Sequence, residues 1–154
     1  MSRFIVVIVL CCLSTLALAK ENKDAQYQHY INNAKKLVWS GNVKANKNEF
    51  ITIPPKGFGK DIAYIPDSGA KRVLRYGMLS GAAQACDIEW EKHYRQLMAY
   101  QRNIMKRNPY QMAYVGVLHG AGMSITEDRP CGTIADKNII ADNLQYNIKH
   151  FTKK

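Results

Sequence analysis

Residues 68–86 read SGAKRVLRYGMLSGAAQAC, and this stretch decides the fold. Small or apolar residues fall at Ala70, Val73, Leu74, Gly77, Met78, Gly81, Ala82 and Ala85, in alternating steps of three and one. That spacing is the stripe of a helix buried along one side. Lys71, Arg72, Arg75 and Gln84 take the opposite face, Ser68 stands where an N-cap belongs, and the helix is expected to end near Cys86.

Toward the C-terminus, Asp87 reads as the N-cap of a second helix, with Glu89 and Glu91 in its first turn and Arg102, Lys106 and Arg107 in its last. Charges so placed complement the helix dipole at both ends. Trp90, Tyr94, Leu97, Met98, Ile104 and Met105 form its expected buried stripe, and Glu91 and Arg95 are spaced for an ion pair. Asn108-Pro109 is an N-cap followed by proline at the first helical position, which restarts the chain as a new helix. The following residues, 110–123, are apolar on nearly every side, the mark of a central helix. A charged loop, Thr126 to Pro130, leads to a last helix with Thr133 and Asp136 in a capping-box arrangement. Ile140, Leu144, Ile148 and Phe151 mark its buried side.

Toward the N-terminus, residues 42–66 change character. Phe50-Ile51-Thr52-Ile53 and Ile62-Ala63-Tyr64-Ile65 favour β structure, and Pro54-Pro55 and Pro66 stop them, so an irregular or hairpin segment is expected. Before it, Tyr27, Tyr30, Ile31, Ala34 and Val38 recur at helical spacing up to Gly41. Residues 1–19 have a basic start, an apolar run from Phe4 to Leu13, and Ala17-Leu18-Ala19, the pattern of a secretory signal peptide cleaved before Lys20. The expected organisation is therefore a signal peptide (1–19) and one mainly α-helical domain (20–154) of about five helices.

Composition narrows the function classes. The 154 residues carry 22 Lys+Arg against 12 Asp+Glu, and signal cleavage leaves 135 residues with net charge +9. This is one domain's length, and the apolar run is about half of the ~20 residues that a membrane span needs. Cleavage also removes Cys11 and Cys12 and leaves Cys86 and Cys131. Two cysteines in an exported chain are expected to pair, and both lie at element ends where a bridge distorts little.

Five further features bear on chemistry. Gly77 with Gly81, and Gly116 with Gly120, are i,i+4 pairs that either let the two helices cross closely or line a groove for a ligand. His119, between the second pair, is read as a core histidine or as a functional group near the crossing. There is no Gly-x-Ser-x-Gly elbow to accompany it. His29, His93 and His150 stand on mixed faces without zinc-ligand spacing, so no metal is expected, and Gly57-Phe58-Gly59-Lys60 lacks the length and hydroxyl of a phosphate loop, so no cofactor is expected. Lys71, Arg72 and Arg75 on one helix and Arg102, Lys106 and Arg107 on the next form a candidate basic surface.

Tyr114-Val115-Gly116, Gly120, Cys131 and the final amphipathic helix resemble the later half of small periplasmic helical proteins that include immunity proteins against secreted antibacterial effectors. The partner cysteine departs from that pattern, since Cys86 lies well upstream. The resemblance implies a periplasmic location and a protein partner. Together these features point to an exported, periplasmic or extracellular, basic helical protein. Its expected role is non-catalytic binding to an envelope protein or an anionic envelope component, with nucleic acid a poor candidate in that compartment. The competing class is an envelope hydrolase with a site around His119.

Overall fold

In a computed structural model, which describes residues 24–40, 43 and 60–152, five long helices and one single-turn helix account for the regular structure, with no strand among the described residues. They are α1 (24–39), α2 (Lys60–Ala63), α3 (Asp67–Ala85), α4 (Glu91–Asn103), α5 (Pro109–Ser124) and α6 (Ile134–Thr152). The signal-peptide expectation and the first β-favouring run, Phe50 to Ile53, lie outside the described residues. The second run does not form a strand. Lys60–Ala63 makes a helical turn, and the chain then passes through Ile65, 3% exposed, before Pro66 opens α3.

The stripe read from residues 68–86 is the seam of the molecule. Ala70, Val73, Leu74, Gly77 and Gly81 are buried on α3 and face α5, and Ile31, Ala34 and Val38 of α1 close the core beside Tyr114, Val115 and Leu118 of α5. Polar contacts fasten α1 at its edges. Lys35 Nζ lies 2.8 Å from Asp67 Oδ1, Lys71 Nζ 3.0 Å from Asp24 Oδ1, and the Tyr64 hydroxyl donates to the Lys35 carbonyl at 3.1 Å. The Lys35 ammonium holds the Asp67 carboxyl below its ordinary value by hydrogen bonding to it.

Glycine is required where α3 meets α5. A Cβ on Gly77 would run into the His119 carbonyl oxygen and sit 2.9 Å from the Gly122 Cα. One on Gly122 would strike the Leu74 carbonyl oxygen and sit 2.9 Å from the Gly77 Cα, and Gly81 is equally closed by Met123. The main chains are in direct contact, so no side chain fits between them. Thr126 uses the same proximity to donate its hydroxyl to the Met78 carbonyl at 2.7 Å.

Helix ends explain where several boundaries differ from expectation. Asp67, not Ser68, begins α3, with Pro66 at the N-cap. At the other end the Ile88 N–H donates to Ala83 O at 2.9 Å and the Asp87 N–H to Gln84 O at 3.1 Å, with Asp87 at φ 55°. This is a Schellman closure in which Asp87 takes the left-handed position usually given to glycine. Asp87 therefore ends α3 rather than starting α4, which begins after Trp90. The Asn108 cap is as expected: its side chain accepts from the Gln111 N–H at 2.9 Å and the Gln111 side chain accepts from the Asn108 N–H at 3.4 Å. Thr133 and Asp136 close α6 in the same reciprocal manner.

The disulfide joins Cys86 to Cys131, 45 positions apart, tying the end of α3 to the segment that enters α6. α6 otherwise buries only Leu144 and Phe151 fully, while Ile139 and Tyr146 stay exposed. No helix among the described residues is long and apolar enough to cross a membrane.

Candidate functional site

α5 buries two of its faces and leaves the third open. Tyr114, Val115, Leu118 and Gly122 turn toward the core, and Met112, His119 and Met123 turn toward the flank, all of them buried. Ala113, Gly116 and Val117 are only half-buried and Gly120 is exposed, so the helix is apolar all round yet not covered all round. The expectation of a wholly central helix is corrected on this side. Among the described residues this face forms the floor of a cleft of about 560 Å³ between α4 and α5, which Val43, ahead of α2, also lines. That volume is within the usual range of small-ligand and side-chain pockets.

The α4 wall is Tyr94, Met98 and Arg102, one residue per turn, and Met112 and Val117 stand across from it. Gly116 belongs to this floor and not to the α3 crossing, because a Cβ placed on it would meet nothing closer than the Tyr94 hydroxyl at 3.7 Å. A Cβ placed on Gly120 would meet nothing within 4 Å among the described residues outside its own turn of helix. The crossing therefore uses Gly77 and Gly81 with Gly122, and the expected pairing with Gly116 and Gly120 is corrected. The helical phase of α5 was hidden by its own composition: with apolar residues on every face, Gly116 and Gly122 were equivalent in pattern.

Two guanidinium groups border the cleft. Arg102 is exposed on the last turn of α4, and Arg107 lies in the loop before α5. Arg107 is held twice by the same neighbour. Its N–H donates to the Gln101 carbonyl at 3.1 Å, and its Nε reaches Gln101 Oε1 at 3.5 Å. The reversal that permits this is Lys106 at φ 52°. Among the described residues no hydrogen bond engages the two terminal nitrogens of Arg107, the pair that makes a fork-like grip on an oxyanion. No carboxylate among the described residues pairs with Arg102 or Arg107.

The remaining cations of the expected basic surface are placed differently. Lys71 pairs with Asp24, and the Arg75 guanidinium lies 5.7 Å from the centroid of the Tyr27 ring, so both are occupied with α1. Arg72 is exposed on α3 and faces Arg107 across a smaller cavity, and Lys106 is exposed in the α4–α5 loop. α4 stops at Asn103, so Lys106 and Arg107 leave its last turn, and Ile104 and Met105 are 49% and 41% exposed instead of buried.

His119 sits beneath the cleft wall rather than in it. It is 2% exposed, with its ring 4.6 Å from that of Tyr94 and stacked on Trp90 at 6.2 Å. Its Nε2 is 3.1 Å from Ser80 Oγ, and Ser80 Oγ is 3.0 Å from His93 Nδ1. One hydroxyl proton serves one ring, so the other ring donates, and the three side chains form a buried polar link between α3, α4 and α5. Burial lowers both imidazoles to about 4, which keeps them neutral at physiological pH. His93 Nε2 is buried without a partner among the described residues.

Sequence reasoning placed His93 on a mixed face and missed Ser80. The available signal was Ser80 itself, one residue off an otherwise apolar stripe. Among the described residues no group of three or more His, Cys, Asp or Glu side chains is arranged to hold a metal ion. Glu89 lies 3.7 Å from Arg95 with both side chains exposed, in place of the expected Glu91 pair. The chain matches no protein-family model, no characterised protein and no solved structure.

Proposed function

We propose that this chain is an exported, non-catalytic binding protein that receives an acidic, partly apolar segment of a protein partner in the α4–α5 cleft. The observation that carries the reading is the half-buried apolar face of α5 at the floor of the cleft, with Gly116 in it and two arginines at its border that pair with no carboxylate among the described residues. Apolar area concentrated beside unpaired charge is what a docking site offers: burial for affinity, charge for register and approach. The N-terminal signal pattern and the Cys86–Cys131 bridge support an oxidising compartment outside the cytoplasm. An immunity-type role, implied by the resemblance of the Tyr114–Tyr146 stretch, is one form of this function. The competing hydrolase reading draws no support from His119, whose ring is enclosed and engaged with Ser80.

The test is affinity capture from an envelope extract, run side by side with wild type, Gly116→Leu and Arg102→Glu, and followed by affinity measurement on the captured protein. Gly116→Leu fills the cleft floor and Arg102→Glu reverses a rim charge, so each is expected to weaken binding at least about tenfold. Lys71→Gln, outside the cleft, is expected to bind as wild type. A partner retained equally by all four proteins refutes the reading. Equal retention of all four on anionic lipid vesicles alone points instead to a diffuse basic surface.

A further inference from the structure

A second cavity, about 60 Å³, lies between α3, α4 and α6, on the other side of Arg107 from the cleft. It exceeds the roughly 10–15 Å³ that admits one water and falls well short of the ~300 Å³ at which small-molecule sites begin. Its polar lining is one-sided in chemistry. Arg72 and Tyr76 come from α3, Tyr100 and Gln101 from α4, Arg107 from the following loop and His150 from α6, and no carboxylate among the described residues lines it. Two of the six are guanidinium groups, charged at any working pH, and two are phenols, which donate when neutral. Arg72 is near enough to Tyr76 for its charge to oppose the upward push of burial on that hydroxyl.

The residues that carry these donors come from four separate pieces of chain around one cavity. A planar carboxylate presents its acceptors along one edge, and a single fork satisfies it. A tetrahedral oxyanion presents acceptors on all sides and carries more than one charge, which is what two guanidiniums on separate elements match. Gln101, 7% exposed, fixes Arg107 through both its carbonyl and its side-chain oxygen, so one jaw is set before any anion arrives.

We propose that this cavity binds a phosphate-type oxyanion, free or as a monoester, between Arg72 and Arg107. The site shares Arg107 with the partner cleft, and Arg72, which lines this cavity alone, tells the two apart.

The experiment is isothermal titration of the disulfide-bonded chain at constant ionic strength with inorganic phosphate, glycerol 1-phosphate and acetate. Phosphate is expected to bind one to one and saturably, and acetate at least about tenfold more weakly. Arg72→Gln, at an exposed position, is expected to keep the wild-type circular dichroism spectrum and to weaken phosphate about tenfold or more. Lys106→Gln, an adjacent exposed cation outside the cavity, is expected to stay within about twofold. Tighter binding of glycerol 1-phosphate than of phosphate upholds the site for an esterified ligand, equal affinity upholds it for either form, and preference for inorganic phosphate upholds it for the free ion. Absence of saturable binding, acetate binding as tightly as phosphate, or Lys106→Gln weakening binding as much as Arg72→Gln overturns it.

Discussion

Replacing Gly77 by alanine tests the close crossing of α3 and α5. The new methyl group would meet the His119 carbonyl oxygen, the His119 carbonyl carbon at 2.9 Å and the Gly122 Cα at 2.9 Å. All three are main-chain atoms of a helix already packed on α3, so no rotamer change relieves the clash. Overpacking of this kind costs about 1–3 kcal/mol, and contacts made wholly by backbone place it at the upper end. Alanine returns up to about 1 kcal/mol of helix propensity, which leaves a net loss of about 2 kcal/mol. For a domain of this size that lowers the melting temperature by about 5–10 °C. Gly120→Ala is the internal control, because nothing lies within 4 Å of its added methyl, and it is expected to gain about 0.5–1 kcal/mol. Urea and thermal denaturation of both variants with the disulfide intact provide the measurement. Gly77→Ala melting at or above wild type, or Gly120→Ala losing as much as Gly77→Ala, refutes the crossing.

Acid is expected to destabilise the fold in a defined window. His93 and His119 are lowered from 6.5 to about 4, so between those values the unfolded chain binds protons that the folded one refuses. Stability is therefore complete above about pH 6.5 and falls toward pH 4, by an amount on the order of 3 kcal/mol per ring, whereas Asp67 acts only below its ordinary value. Equal urea midpoints at pH 7.5 and 4.5 would contradict the buried imidazoles. Asp87→Gly, at φ 55°, is expected to raise stability by up to about 1 kcal/mol, and a decrease would show that the Asp87 side chain matters to the turn. Replacing both Cys86 and Cys131 by alanine should cost about 2–4 kcal/mol and speed amide exchange in α6 first, since that helix buries few side chains; uniform loss of protection over all helices would count against a weakly held α6.

Features set by local chemistry were readable in the sequence. The α3 stripe, the Asn108-Pro109 cap, the Thr133–Asp136 box and the cysteine pair each depend on residues a few positions apart or on a count. Features set by phase or by tertiary packing were not. Which glycine of α5 faces α3 depends on a rotation that an all-apolar helix does not record, so Gly122 was passed over for Gly116 and Gly120. The Ile62–Ile65 run has strand composition, yet its first residues close a helical turn, and burial of Ile65 against the core, not β-pairing, uses its apolar character. The end of α4 was misjudged because Ile104 and Met105 continue the apolar content past the point where Lys106 reverses the chain. For the candidate site, the sequence marks Arg102 and Arg107 as part of a basic surface and Gly116 as a glycine of a helix crossing or a ligand groove. Their meeting in one cleft required the phase of α5 and the double hold of Gln101 on Arg107.

The bridge between Cys86 and Cys131 has a topological consequence for life among proteases. Residues 87–130 form a closed ring of chain that contains all of α4 and α5, and with them Arg102, Arg107, Gly116 and His119. A single cut in the exposed turn between those two helices opens the ring but releases nothing: each fragment stays bound to the other through sulfur. The cleft's two walls remain covalently joined after such a nick, and the damage becomes visible only when a reducing agent separates the pieces on a gel.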